Sequence, residues 1–176
     1  MRKISRIVLH ATSGWGNQTT ESIKSYWRNT LGWKQVGYHK LINLDGSIEN
    51  LAPLDTVTNG VRGYNSDSIH ICYKGGLIST SPKYVYGDTR SDKQKEGFEY
   101  AISDVFFELR ELGVPDIDNI TIVGHRDLSP DTNKSGFIEP PEYIKSCPTF
   151  NAIDEYGLKM CGERAIERLK KGRKYY

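Results

Sequence analysis

Three side chains of the sequence have the chemistry of a divalent metal site. His10 and His125 each end an apolar segment and precede a polar loop, and Cys147 follows later in the chain. In open α/β sheets, ligands bind beyond the carboxyl ends of strands, so the two imidazoles meet if their strands are neighbours. Two neutral imidazoles and a thiolate can hold Zn²⁺ with a fourth position left for water. Spacing leaves an alternative open, because strand-end histidines are often structural and single cysteines are often small buried hydrophobes.

Apolar and β-branched segments predict the strands that would position these residues. They cover residues 4–10, 36–43, a short segment near Ile48, 68–73 and 119–124. Asp45-Gly46 supplies a tight turn before the short strand. Because strands and helices alternate along the chain, we predict an α/β fold over residues 1–176, a single domain with a mixed central β-sheet flanked by helices.

Two helices are predicted from their caps and their apolar spacing. The first is capped by Thr19 or Thr20 and ends near Gly32. Its apolar side includes Ile23, Tyr26 and Trp27. The second begins at Ser91, which forms a capping box with Gln94. Its predicted buried stripe consists of Phe98, Ala101, Ile102, Val105, Phe106, Leu109 and Leu112.

The composition indicates an ordinary globular protein. A chain of 176 residues with 37% hydrophobic and 26% charged residues can bury a sizeable core, and a net charge of +2 is too small to imply nucleic acid. No segment approaches the roughly 20 apolar residues of a membrane span. We see no secretory segment and expect cytoplasmic synthesis. Three cysteines are a small and odd number, which argues against a disulfide framework. We expect a monomer.

Five short motifs occur in order along the chain. They are Val8-Leu9-His10-Ala11-Thr12, Gly32-Trp33 with Val36-Gly37-Tyr38-His39, Gly63-Tyr64-Asn65-Ser66 with Ser68-Ile69, Val123-Gly124-His125-Arg126-Asp127 and Lys145-Ser146-Cys147-Pro148. Together they resemble the zinc N-acetylmuramoyl-L-alanine amidase family, which includes amidase-type phage lysozymes and peptidoglycan recognition proteins. The resemblance implies hydrolysis of the amide bond between N-acetylmuramic acid and L-alanine in bacterial peptidoglycan.

The resemblance also implies a role for five side chains. It places His10, His125 and Cys147 as zinc ligands, and Tyr38 and Lys145 as catalytic residues beside the metal. Amide hydrolysis passes through an oxyanion that needs fixed donors, and a tyrosine hydroxyl and a lysine ammonium suit that role. Without the resemblance, we would interpret Tyr38 as a core aromatic residue and Lys145 as a solvated surface lysine.

The remaining histidines and cysteines are expected to be structural. His39 and Tyr38 are neighbours on one predicted strand, so their side chains should point to opposite faces. His70 lies in the middle of a strand, where we expect it to be buried and hydrogen-bonded. Cys72 shares that strand and should lie in the core, whereas Cys161 carries no recognisable signal.

Residues 131–142 form an apparent insertion relative to compact amidases, and they resemble an EF-hand calcium loop. The donors in that pattern would be Asp131, Asn133, Ser135, the carbonyl of Phe137, and Glu142. Ser135 replaces the usual Asp or Asn, and no predicted helix enters the loop. The alternative is a polar insertion that binds nothing. If calcium binds, we expect it to raise thermal stability without taking part in the chemistry.

The C-terminal region, from about residue 163, carries a basic run. Its members are Arg168, Lys170, Lys171, Arg173 and Lys174. Such a run can steer an enzyme toward anionic envelope polymers, but solvated termini commonly have this composition. We therefore interpret it as a solvated basic tail.

Two other functions are compatible with the resemblance. Some members of the wider family bind peptidoglycan without cutting it, but these generally lack the cysteine ligand, and Cys147 is present here. Amidase-type phage lysozymes can also act on a polymerase, a role that no residue here supports or excludes. An enzyme made without a secretory segment must be released to reach the wall, so we expect an endolysin-like amidase.

Overall fold

A mixed five-stranded sheet forms the centre of the protein in a computed structural model that describes residues 2–172. Its strands are β1 (Arg6–Ala11), β2 (Lys40–Ile42), β3 (Ile48–Asn50), β4 (Ser68–Tyr73) and β7 (Thr121–Gly124), in the order β3-β2-β4-β1-β7. β1 pairs in parallel with β4 and β7, β2 pairs in parallel with β4, and β3 is antiparallel to β2. A separate hairpin contains β5 (Leu77–Ser79) and β6 (Val85–Tyr86). The predicted mixed α/β sheet is confirmed.

Helices and short helical turns connect the strands. The α-helices of the described chain are α1 (Thr20–Ser25), α2 (Asp92–Glu111), α3 (Leu158–Met160) and α4 (Glu163–Lys171). π-Helical turns at Tyr26–Thr30 and Ile153–Gly157 adjoin α1 and α3. Single 3₁₀ turns lie at Asn65–Asp67, Ile117–Asn119, His125–Leu128 and Pro140–Glu142. Within residues 2–172, every helix is too short or too polar to cross a membrane.

The two faces of the sheet carry different cores, because successive side chains of a strand point to opposite faces. Ile71 and Tyr73 of β4 belong to the large core closed by α2. Cys72 belongs to a smaller core with Trp27, which lies just after α1. His10 of β1 pairs with Cys72 in register and therefore lies on the same face as Cys72. The face that α1 covers is thus the face that carries the imidazole.

The helix α2 begins where its capping box predicts. The Ser91 hydroxyl accepts from the Gln94 amide at 3.1 Å, and the Gln94 side chain accepts from the Ser91 amide at 3.1 Å. Most of the predicted stripe is fully buried, and Phe106 is partly buried. Leu112 is 51% exposed, contrary to the prediction. The reason is that the helix ends at Glu111, so Leu112 no longer follows helical spacing.

Two further predictions near the site are wrong in detail. Tyr26 is 54% exposed rather than buried. The chain passes there from an α-helix into a π turn, closed by the Leu31 amide donating to the Tyr26 carbonyl, which changes the side-chain spacing. The strand predicted over 36–43 is paired only over Lys40–Ile42. Residues 36–39 precede it as a loop, in which the Val36 carbonyl accepts from the Asn59 amide.

The basic C-terminal region is partly an integral helix rather than a solvated tail. Ala165 and Leu169 of α4 are buried in the large core, and the Arg168 guanidinium donates to the Asn119 carbonyl at 2.8 Å. Lys170 and Lys171 are exposed at the end of α4. Arg173 and Lys174, which complete the predicted run, lie outside the described residues.

Phe98 offers a direct test of the α2 interface. Its side chain is fully buried, and its ring centroid lies 5.5 Å from the ring centroids of Phe150 and Tyr156. We expect Phe98→Ala to lower the free energy of unfolding by about 3–5 kcal/mol, because it opens a cavity in the large core. Phe107→Ala is the matched control on the same helix, where the side chain is 62% exposed, and should change that value by less than about 0.5 kcal/mol. Urea unfolding measures both, and equal losses would contradict the assignment of the buried face.

Candidate metal centre

His10, His125 and Cys147 converge at the carboxyl edge of the sheet. His10 lies near the end of β1, and His125 directly follows β7, which pairs in parallel with β1. One ligand atom from each of the three residues lies within 4.8 Å of the other two. The structure therefore brings together the three donors that the sequence analysis singled out.

Main-chain contacts hold the Cys147 segment against both histidine segments. The Ala11 amide donates to Cys147 Sγ at 3.3 Å, and the Arg126 amide donates to the Cys147 carbonyl at 2.8 Å. A Cβ atom added at Gly124 would lie 2.6 Å from Cδ of Pro148, so this close approach requires glycine at the end of β7. The position of the sulfur is therefore set by the backbone on either side of it.

The orientation of His10 identifies the nitrogen that faces the other donors. His10 Nδ1 lies 3.6 Å from Cys147 Sγ, whereas His10 Nε2 lies 3.0 Å from Nδ1 of His70. The ring centroids of His10 and His125 are 5.1 Å apart, with an interplanar angle of 70°. Nδ1 of His10 is therefore the atom available to a metal ion.

Burial sets the protonation states of the three donors. It lowers the pKa of His10 well below its ordinary value, with the charges of His125 and His70 acting in the same direction. Burial, and then the charge of Lys145, lowers the pKa of His125 to about 4. Burial raises the pKa of the Cys147 thiol to about 12, although the Ala11 amide opposes this shift. Near neutral pH both imidazoles are unprotonated, as ligands must be, whereas the thiol must lose a proton to bind metal.

The donor set fits zinc. Two imidazoles and a thiolate suit Zn²⁺, whereas magnesium and calcium prefer oxygen ligands. A site with three protein ligands leaves a fourth position for water or substrate, as catalytic zinc sites do. Across residues 2–172, the three converging residues are the one group of three His, Cys, Asp or Glu side chains with ligand atoms this close together.

Tyr38 lies against the metal ligands on the side of α1. Its ring centroid is 5.0 Å from that of His10 and 5.3 Å from that of Trp27. Burial raises the pKa of Tyr38 well above its ordinary value, and the neighbouring Cys72 and Cys147 side chains raise it further. The phenol is therefore a neutral hydrogen-bond donor at physiological pH.

Lys145 is exposed and lies two residues before the cysteine donor. Its positive charge lowers the pKa values of His10, His125 and Cys147. The ammonium group therefore acts electrostatically on all three donors.

The other two histidines are buried beneath the site. His39 Nδ1 accepts from the His70 amide at 2.9 Å, and His39 Nε2 lies 3.0 Å from the Thr56 carbonyl. His70 is buried and hydrogen-bonded, as predicted, but its partner is His10 itself. Sequence reasoning missed this contact, because it depends on β4 lying beside β1. The third buried cysteine, Cys161, accepts from the Ile122 amide at 3.2 Å, a contact that no sequence pattern predicted.

The loop at residues 131–142 is closed by hydrogen bonds to its own carboxylates. The Glu142 side chain accepts from the amides of Glu139, Thr132 and Asn133, and these bonds lower the pKa of Glu142 to about 2. Asp131 accepts from the Gly136 amide at 2.9 Å. The carboxylate that would complete a calcium site is thus engaged by backbone N–H groups in this conformation. Calcium binding by Asp131, Asn133, Ser135, Phe137 and Glu142 stays a prediction.

Comparison with known sequences identifies the family of this chain. The profile described as N-acetylmuramoyl-L-alanine amidase matches residues 1–137. An uncharacterised protein of Haemophilus influenzae is 32% identical over 108 residues, which cover 61% of this chain and 84% of that protein. The endolysin of Enterobacteria phage K11 is 29% identical over 125 residues, which cover 71% of this chain and 66% of the endolysin. The profile match ends before Lys145 and Cys147, so their assignment depends on the geometry described above.

Solved structures share the fold. The Ph2119 endolysin from a Thermus scotoductus bacteriophage has a TM-score of 0.60 at 19% identity, covering 89% of this chain and 87% of that one. The Clostridium intestinale amidase LysCS has a TM-score of 0.57 at 20% identity, covering 85% and 78%. The peptidoglycan recognition protein PGRP-SA of Apis mellifera has a TM-score of 0.61 at 20% identity, covering 88% and 82%. With a family profile matched over most of its length, the chain belongs to the N-acetylmuramoyl-L-alanine amidase family and is a peptidoglycan amidase.

Proposed function

We propose that the protein hydrolyses the amide bond between N-acetylmuramic acid and L-alanine with a zinc ion held by His10, His125 and Cys147. The observation that carries this proposal is the convergence of their ligand atoms within 4.8 Å, in a chain of the amidase family. When bound, zinc supplies the two features that amide hydrolysis lacks at neutral pH, a water of pKa about 7 and a polarised carbonyl.

The remaining steps of the reaction are assigned to residues of this chain. The two histidines bind the metal, and Lys145 and Tyr38 stabilise the reacting groups. His10 and His125 are neutral near pH 7 and can bind metal without losing a proton. Lys145 stabilises the negative charge that develops on the carbonyl oxygen of the substrate, because its ammonium acts on every donor at the site. Tyr38 donates a hydrogen bond from its neutral hydroxyl to the attacking water or to the developing oxyanion. Its raised pKa makes it a poor general base and a persistent donor.

We also propose that the protein acts on the cell wall as an endolysin-like enzyme and as a monomer. The similarity to the phage K11 endolysin supports the endolysin-like role. The monomer is supported by the three donors, which all come from one chain, so that the site needs no residue of a second copy.

Digestion of purified cell wall tests the proposed reaction. An amidase should release new amino termini on alanine while the number of reducing sugar ends stays constant, and a zinc chelator should stop the release. New reducing ends would indicate a glycosidase instead. Binding to the wall without any cleavage would favour the peptidoglycan recognition module.

The same assay tests the role of Lys145. We expect Lys145→Ala to lower kcat/KM by about 100- to 1,000-fold, the usual effect of removing one group that stabilises an oxyanion. Lys159→Ala removes another exposed lysine, from α3, and serves as the matched control, with an expected change of less than about twofold. Equal activity of the two variants would remove Lys145 from the mechanism.

Zinc affinity should depend on pH through a single proton. The pKa of Cys147 is about 12, so the thiol releases one proton when it binds metal, whereas the pKa of His125 is about 4 and that of His10 is also far below neutral. The apparent Kd for zinc should therefore fall about tenfold for each unit by which the pH rises between about pH 6 and pH 8. Competition with a chromophoric chelator measures the slope. The Cys147→Ala variant should lose it, and a pH-independent Kd in the wild type would contradict a protonated thiol.

A further inference from the structure

A third imidazole lies directly behind the two that belong to the proposed metal centre. His70 of β4 is fully buried, and its Nδ1 lies 3.0 Å from Nε2 of His10. His10 is also buried, with 1% of its surface exposed. A hydrogen bond between two neutral imidazoles needs a donor nitrogen on one ring and an acceptor nitrogen on the other. The contact therefore couples the tautomers of the two rings, because the nitrogen of one must carry a proton and the facing nitrogen of the other must not.

The direction of this hydrogen bond follows from the side of His10 that faces the other donors. Because His10 Nδ1 faces Cys147, a metal bound there leaves the proton of His10 on Nε2. That N–H donates to His70 Nδ1, which places the proton of His70 on its own Nε2. In the described part of the chain, His70 Nε2 is buried without a hydrogen-bond partner.

His39 fixes His70 from the other side. The two rings are nearly parallel, with centroids 5.9 Å apart and an interplanar angle of 21°. His39 Nδ1 accepts from the His70 amide, so the neutral ring carries its proton on Nε2, which faces the Thr56 carbonyl. These two main-chain partners hold His39 in one orientation. His70 is therefore packed against a side chain that is itself fixed.

Gly60 supplies the space that the His70 ring occupies. A Cβ atom added at Gly60 would lie 2.3 Å from His70 Nδ1 and 2.4 Å from His70 Cγ. These distances are far shorter than any non-bonded contact, so a larger residue would displace the ring from its contact with His10. The strand β4 thus supplies the His70 ring, and the loop that contains Gly60 leaves the space in which this ring contacts His10.

We infer that His70 is a positioning residue for the metal centre, and that Gly60 is the residue that admits it. His70 accepts from Nε2–H of His10, which fixes the tautomer and the ring orientation of His10 so that Nδ1 faces Cys147 and His125. The inference rests on the proposed zinc centre. Histidines that ligate metals generally use their second nitrogen in such a bond, and its loss typically lowers metal affinity about 10- to 100-fold.

Zinc affinity of the purified full chain, measured by chelator competition without cell wall, tests this inference. His70→Leu keeps a similar volume and removes the acceptor, so we expect about 10- to 100-fold weaker zinc binding. His70→Asn retains an acceptor oxygen near the place of Nδ1 and should stay within about threefold of the wild type. A variant that is merely less stable would not follow this order, and thermal unfolding of the zinc-free proteins records stability separately.

Gly60→Ala tests the same contact without changing His70. The added methyl group should displace the ring and weaken zinc binding in the same direction as His70→Leu. In a His70→Ala background the Gly60 substitution should have almost no further effect, because the ring that it displaces is gone. This pair of variants also provides the test if His70→Leu does not fold.

The outcomes separate the inference from the proposed function. Wild-type affinity in both His70→Leu and Gly60→Ala would overturn the role of His70. A wild-type protein that does not bind zinc would overturn the metal centre and this inference with it. A protein that binds zinc with the expected order of affinities but releases no alanine termini would refute the proposed reaction and leave the role of His70 standing.

Discussion

The parallel pairing of β1 with β7 is the constraint on which the metal centre depends. The register aligns Leu9 with Gly124, so a histidine follows directly after each of these two residues, His10 in one case and His125 in the other. Both strands are held by a core in which Leu9 and Ile122 are fully buried. A slip of one residue would turn a strand's side chains to the opposite faces and separate the two imidazoles. The hydrophobic core therefore determines the relative positions of the two imidazoles, because it holds the register of their strands.

The sulfur donor is added to this edge by the backbone rather than by a strand. Amides from both histidine segments contact Cys147, one at Sγ and one at the carbonyl, and Gly124 permits the approach of the following proline. Burial keeps the imidazoles neutral and the thiol protonated. The fold itself therefore positions the three donors, and metal binding would release one proton from Cys147.

The sequence predicted the sheet and the convergence of two histidines well, because apolar runs and polar strand ends are local signals. The role of Cys147 required the family resemblance, since a loop cysteine has no periodicity. Tyr26 was placed wrongly because a π turn interrupts helical spacing. The contact of His70 with His10 depends on the strand order. The fit of the His70 ring over Gly60 depends on a loop that is distant from β1 along the chain. Such long-range contacts leave no pattern in neighbouring residues.

X-ray absorption spectroscopy of the zinc-loaded protein would identify the metal ligands directly, because it reports the atoms bound to the metal without reference to activity. We expect one sulfur at about 2.3 Å and two imidazole nitrogens at about 2.0–2.1 Å, with the remaining position taken by an oxygen. In Cys147→Ser the sulfur contribution should vanish while the imidazole signals persist. A wild-type spectrum with only nitrogen and oxygen ligands, or with two sulfurs, would contradict the His10, His125 and Cys147 centre.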